Sequence, residues 1–315
     1  MKSFLIAFTA VMPFLTYLTL GYVLNHRTAL VDTPFLNRLN KLVFRVFFPA
    51  LMFWNMVKID RGTVFDFRFI GICAGSVIAV IIFLTILIPR IISENPKRSV
   101  IIQALYRGNF VLYCLPLTES VFGEKGGTVA SMLIAVIVPI YNASGVLLLE
   151  MFRGGKIKPL QLIVNIFKNP LIAGALTGFV FFLLRIPIPT GLQVPIRNVA
   201  AMTTPLALIV LGGTLEFRAI GKNLRYLVPC IAIRLLIEPV IASVLLLTVL
   251  HLDPIERFVY LLLWSTPVAT SVFAMAQNME GDGELAGQFI VLSTVLSIGT
   301  LFLIIFSYSA LGLLG

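Results

Sequence analysis

Arg107-Gly108-Asn109-Phe110-Val111-Leu112-Tyr113-Cys114-Leu115-Pro116 places an arginine, an asparagine and a proline inside a long apolar segment. Proline within a helix removes one backbone hydrogen bond and clashes with the preceding turn, at about 3 kcal/mol. In lipid the freed carbonyls need partners, so such a break is tolerated where backbone faces protein or a water-filled cavity. A charged residue within a membrane span costs at least about 2.5–3.5 kcal/mol on insertion scales and turns to the bundle interior. Near a span's end it snorkels to the headgroups instead. Both readings stand for Arg107, two turns into its span. Asn109 lies deeper, and its amide both donates to a carboxylate and accepts from an acid.

The surrounding chain makes the membrane setting plain. Of 315 residues, 59% are hydrophobic and 12% charged, against about 25% charged in soluble domains. That balance excludes a cytosolic enzyme, a secreted disulfide scaffold and a disordered chain. Cys73, Cys114 and Cys230 fall inside apolar runs and read as packing residues, with no metal-ligand spacing. The run from Ser3 to Asn25 is too long for a signal-peptide core and reads as an uncleaved first span.

With about 20 apolar residues needed per crossing, ten spans are expected, near 4–24, 38–57, 68–90, 99–122, 127–150, 161–185, 196–217, 223–250, 255–279 and 284–312. The loops after spans one, three, five and seven carry 13 basic residues and the opposite face 8. The positive-inside rule then puts both termini outside, in a multi-pass protein of the cell (inner) membrane. The net charge of +10 is absorbed by this topology and does not point to nucleic acid.

The chain also resembles itself. Asn40 to Pro49 followed by Ala50-Leu51-Met52 is echoed by Ile196 to Pro205 followed by Leu206-Ala207-Leu208. Asp66-Phe67-Arg68 is matched by Glu216-Phe217-Arg218. Spans four and nine each carry a proline, Pro116 and Pro267, followed by a glycine-rich acidic turn, Gly123 to Gly127 and Gly281 to Glu284. A five-span repeat is odd, so its second copy enters the bilayer from the other side, as in many secondary transporters. The expected division is a first repeat at 1–152, a short cytoplasmic connection at 153–160 and an inverted repeat at 161–315. Spans four and nine are expected to break at their prolines and cross, turning half-helix N-termini toward an anion.

Other polar groups in the spans are candidates for gating or coupling. Arg234 and Glu238, at i and i+4, form either a self-neutralising structural pair or a gate in which Glu238 accepts a proton. Glu119, one turn after Pro116, is the other carboxylate; intramembrane acids are otherwise scarce, and a proton or sodium ion is a candidate coupling ion with little sequence support. Pro139-Ile140-Tyr141-Asn142-Ala143-Ser144 in span five and Ser265-Thr266-Pro267-Val268-Ala269-Thr270-Ser271 in span nine supply amide and hydroxyl groups around the breaks. Met52, Phe53, Trp54 and Met56, near Asn55, read as packing. His26 and His251 lie in loops, and no zinc-protease, phosphate-loop or dinucleotide pattern is present. No enzymatic activity, cofactor or metal is expected.

In their order and spacing, Asn109 through Leu115-Pro116-Leu117 to Gly123, Asn169-Pro170-Leu171, Pro205 with Ala207-Leu208 and Gly212, Arg234-Leu235 with Pro239, and Pro267 to Gly281 resemble the auxin efflux carrier family over essentially the full length. The resemblance implies ten helices in two inverted five-helix repeats, a scaffold domain and a transport domain, and a substrate site where spans four and nine cross. Family members move small organic anions, among them auxin in plants and dicarboxylates such as malate or malonate in bacteria. Carried over by position, Asn109 would hold the substrate carboxylate near Pro116 and Pro267, with Tyr141 and Asn142 lining the pocket. Thr266, Thr270 and Ser271 complete the expected site, and Arg107 joins Glu119, Arg234 and Glu238 as a gating or coupling candidate. Two positions depart from the family pattern: Cys114 where glycine is frequent, and Thr270-Ser271 where an amide is frequent. The long central loop of plant relatives is absent, which suits a bacterial carrier. The expected partners are the anion, the bilayer and a second copy of the chain. An anion channel or ligand-sensing receptor on the same fold is the alternative.

Overall fold

In a computed structural model, residues 2–28, 30–58, 66–153, 164, 168–215 and 220–313 are described. They form helices α1 (Lys2–His26), α2 (Thr33–Leu42), α3 (Phe48–Val57), α4 (Phe67–Ile91), α5 (Asn95–Tyr106), α6 (Phe110–Met151) and α7 (Pro170–Leu183). They continue as α8 (Thr190–Thr214), α9 (Ile220–Ala232), α10 (Glu238–Thr248), α11 (Pro254–Ser265), α12 (Ser271–Asn278) and α13 (Gly283–Ala310). Short acids start several of them: Asp32 accepts from the Phe35 amide, Asp66 from the Arg68 and Phe69 amides, and Asp282 from the Leu285 amide. Each satisfies N–H groups that a helix start leaves open.

Two π-helical turns keep neighbouring helices continuous. Val43–Phe47 joins α2 to α3, and Ile233–Ile237 joins α9 to α10. Both come just before a proline, Pro49 and Pro239. The wider turn moves the carbonyl that a proline ring otherwise strikes four residues back. Among the described residues, five stretches are long and apolar enough to cross a membrane: 67–91, 110–151, 190–214, 220–248 and 283–310. Pro170–Leu183 is a shorter apolar helix. Ile78, Ile82, Phe83 and Ile86 on α4, and Val240, Ile241, Val244 and Leu247 on α10, are exposed apolar rows. Rows this long suit contact with lipid.

The helices meet most closely where small residues let backbones touch. Gly21 of α1 lies against the Ile209 backbone of α8, and Gly178 of α7 against the Phe53 backbone of α3. Between helices in lipid such van der Waals contact is the main attraction. Gly21→Leu is therefore expected to cost about 1–3 kcal/mol by overpacking, seen as a lower unfolding temperature in detergent.

The expected break at Pro116 is not found. α6 runs helically through Pro116 and Pro139, and the chain leaves helical geometry earlier, at Arg107–Asn109. A proline removes a single hydrogen bond and is accommodated as a kink; the extended residues 107–109 find replacement bonds, described below. Inside α6 the one non-helical residue is Gly123, at φ 65 and ψ −151, where the chain reverses without a loop. Only glycine takes that backbone without strain. The turn expected at Gly281–Glu284 joins α12 to α13, with Glu280 also at positive φ. Beyond Arg153, the expected 153–160 connection lies outside the described residues, as do Arg61, Glu216, Phe217 and Arg218.

Candidate functional site

Two helix breaks lie side by side. Arg107, Gly108 and Asn109 separate α5 from α6, and residues 266–270 separate α11 from α12. The breaks pair like two short antiparallel strands, with Gly108 opposite Val268. The Asn109 amide donates to the Pro267 carbonyl at 2.6 Å, and the Ala269 amide donates to the Arg107 carbonyl at 3.0 Å. The Val268 amide is taken by the Ser293 hydroxyl at 3.1 Å. Each break thus supplies hydrogen bonds the other lost, as buried backbone requires.

The carbonyl ends of the half-helices converge on Arg234, which is fully buried. Its Nε donates to the Thr266 carbonyl at 2.9 Å, Nη1 to the Leu105 carbonyl at 3.0 Å, and Nη2 to the Leu263 carbonyl at 3.2 Å. Nη1 also donates to Glu238 Oε2 at 2.7 Å. A guanidinium there answers open carbonyls and the negative dipole ends of α5 and α11 together. The π-turn aims it, since Arg234 sits within that turn and Glu238 closes it.

The other ends, the N-termini of α6 and α12, face a cavity of about 840 Å³ lined in part by Phe110, Thr270 and Ser271. At its deep end stand Arg107, Asn109, Tyr141 and Asn142. The remaining wall is largely apolar, with Phe14, Phe48, Leu51, Tyr113 and Leu208, and it extends to Lys58 and Arg197. Apolar walls with a few convergent polar groups are the usual form of a small-molecule site.

Arg107 is turned inward and buried, so it does not snorkel. Nη1 donates to Gln103 Oε1 and lies at 3.1 Å from the Met275 sulfur, and Nη2 donates to Asn142 Oδ1 at 2.5 Å. Among the described residues no carboxylate pairs with it. Gly145 makes room, because a Cβ there would strike both the Arg107 guanidinium and Gln103 Oε1. Nearby, the buried Asn109 Nδ2 has no hydrogen-bond partner among the described residues. The Tyr141 hydroxyl, beside the Gly108 amide, makes no well-formed hydrogen bond either. Donors left open at a buried site cost free energy unless something fills it.

Polar side chains bridge helices at the end away from Lys58. Asn40 donates to Gln277, whose Nε2 donates to Asn37 Oδ1 at 3.0 Å. Asn40 lies near the start of the continuous helix that carries Lys58 at its end, about 27 Å away at 1.5 Å per residue. Arg153 pairs with Glu280 at 2.6 Å on the loop after α12. That guanidinium, by hydrogen bond and charge, holds the Glu280 carboxyl below its ordinary range.

Of the residues singled out in the sequence, Arg107, Asn109, Pro116, Tyr141, Asn142, Thr270 and Ser271 line the cavity together. Thr266 and Pro267 belong to the break but are not among its lining residues, and Arg234 and Glu238 sit behind it. Glu119 is exposed on α6 and does not line the cavity; its side chain lies by Gly127. Met52 and Trp54, expected as packing, also line the wall, as do Asn55, to which no role was given, and Lys58 and Arg197, read only as topology signals. The signal for these was helical spacing: Met52, Asn55 and Lys58 recur every three residues on one face.

A family profile described as "Membrane transport protein" matches residues 6–305. The chain is 27% identical over 311 residues to a protein of Rhizobium meliloti named "Putative malonate transporter", covering 92% of each. It is 26% identical over 295 residues to an "Uncharacterized transporter" of Methanothermobacter thermautotrophicus, covering 92% of this chain and 95% of the relative.

Proposed function

The chain belongs to the membrane transport protein family, and from that premise we propose that it is a secondary carrier of small organic anions working by alternating access. The observation that carries this reading is the deep end of the cavity, where the unpartnered Asn109 amide stands beside the buried Arg107 guanidinium. Amide and guanidinium donors with two half-helix N-termini suit a carboxylate. The malonate named for the Rhizobium relative is one such acid.

We read the architecture as ten membrane helices in two inverted repeats. Two helix contacts support this: Phe53 to Ile209 and Gly21 to Gly178 are shifts of 156 and 157 residues, so each contact is the other's counterpart. The α5–α6 and α11–α12 breaks are counterparts in the same sense. On this reading α1, α2–α3, α7 and α8 form the scaffold, and the broken helices move against it. The cavity mouth at Lys58 and Arg197 faces outside, and the Asn37–Asn40–Gln277 tie closes the inside. Arg234 and Glu238 act as the brace of the crossing helices, which leaves proton or sodium coupling with no carboxylate in the cavity wall among the described residues.

The test is thermal stabilisation of the purified protein across acetate, malonate, succinate and phenylacetate, with Asn109→Ala alongside. A ligand present at 100 times its Kd stabilises the folded state by about 2.7 kcal/mol. At least one acid is expected to raise the unfolding temperature of the wild type and not of the variant. An equal shift in both proteins removes Asn109 from the site. Saturable flux of that acid in vesicles separates a carrier from a channel.

A further inference from the structure

We propose that Arg107 makes this carrier an obligate anion exchanger, because an empty site keeps a charge that blocks passage between the two faces. The inference rests on the carrier reading above. Charges at the helix breaks do not balance. Arg234 is cancelled by Glu238 at 2.7 Å, whereas among the described residues Arg107 is held by neutral groups: Gln103, Asn142 and the Met275 sulfur. The cavity's other cations, Lys58 and Arg197, add no negative charge at its mouth.

Neutral acceptors satisfy the N–H groups of a guanidinium but leave its charge in place; a carboxylate does both. While the cavity is open, its water lies against the residues around Arg107 and screens the buried charge. Alternating access passes through a closed state in which that water is expelled. There an uncompensated guanidinium is costly. A bound carboxylate removes the cost, and an empty site retains it. The loaded protein therefore crosses between its two states and the empty protein stalls in the open one, since only the differential energy of the states decides the population. A carrier that cannot return empty moves one anion inward for each moved outward.

The experiment uses full-length protein in phosphatidylcholine–phosphatidylglycerol vesicles, with labelled acetate, malonate, succinate and phenylacetate as probes. Uptake is measured into vesicles preloaded with the same unlabelled acid and into empty ones. Uptake against the preloaded acid is expected to exceed uptake into empty vesicles on the order of a hundredfold, from the cost of a guanidinium at the bilayer centre. Arg107→Gln is expected to bring the two rates together, at weaker affinity, and Arg107→Lys to restore the difference. Equal rates in the wild type overturn the exchange proposal and leave the carrier reading standing. A wild-type ratio persisting in Arg107→Gln overturns the role of Arg107. Absence of flux for all four acids in both modes overturns the carrier reading and this inference with it.

Discussion

Arg234→Met is expected to leave little folded protein in detergent extracts. The substitution strips the Leu105, Leu263 and Thr266 carbonyls of their donor and leaves the Glu238 carboxylate facing an apolar side chain. Removing one partner of a buried pair costs about 3–5 kcal/mol, a large share of the 5–15 kcal/mol that typically separates folded from unfolded chains. Size-exclusion chromatography and thermal unfolding measure it directly. Glu238→Gln keeps the three carbonyl bonds and an acceptor for the Arg234 Nη1 group but leaves the buried guanidinium without its counter-charge, so it is expected to destabilise as well, though by less than Arg234→Met. A stable, monodisperse Arg234→Met protein would show that the half-helix ends hold together without the clamp.

Gly145→Ala is expected to do the reverse, sparing the fold and removing transport. The added methyl meets the Arg107 guanidinium and Gln103 Oε1, and both must shift. Overpacking of this size costs about 1–3 kcal/mol, so the protein stays folded. Displacing a positioned group by an ångström costs about a hundredfold in rate, and uptake is expected to fall by that order. Arg107→Lys in the Gly145→Ala background, with a slimmer head group, is expected to recover part of it. Full uptake by Gly145→Ala would mean that Arg107 need not sit where it does.

Much of this was legible in the chain. Uncharged runs marked the helices, since lipid admits few alternatives. The grouping of Asn109 with Tyr141 and Asn142 came from the family resemblance, and all three line the cavity with Arg107. The position of the first break was not legible. Pro116 is the conspicuous helix breaker, yet the helix continues through it, and the chain opens at Gly108. Nothing local selects Gly108; the choice depends on the second break supplying Pro267 and Ala269 as partners, which is a tertiary fact. The role of Arg234 was hidden likewise. The i, i+4 spacing announced its pairing with Glu238, while its three carbonyl partners come from chain segments 29 to 129 residues away.

The reversal at Gly123 has a consequence for energetics on the two membrane faces. Because no loop intervenes there, the strand-like segment bearing Asn109 and the helix bearing Tyr141 and Asn142 are joined without slack. Such a junction favours moving these donors as one unit. A ligand then meets the same preorganised set of donors from either compartment. On the carrier reading proposed above, intrinsic affinity is then expected to be similar from either side, and the sign of net movement is left to the chemical potentials of the anions on the two sides.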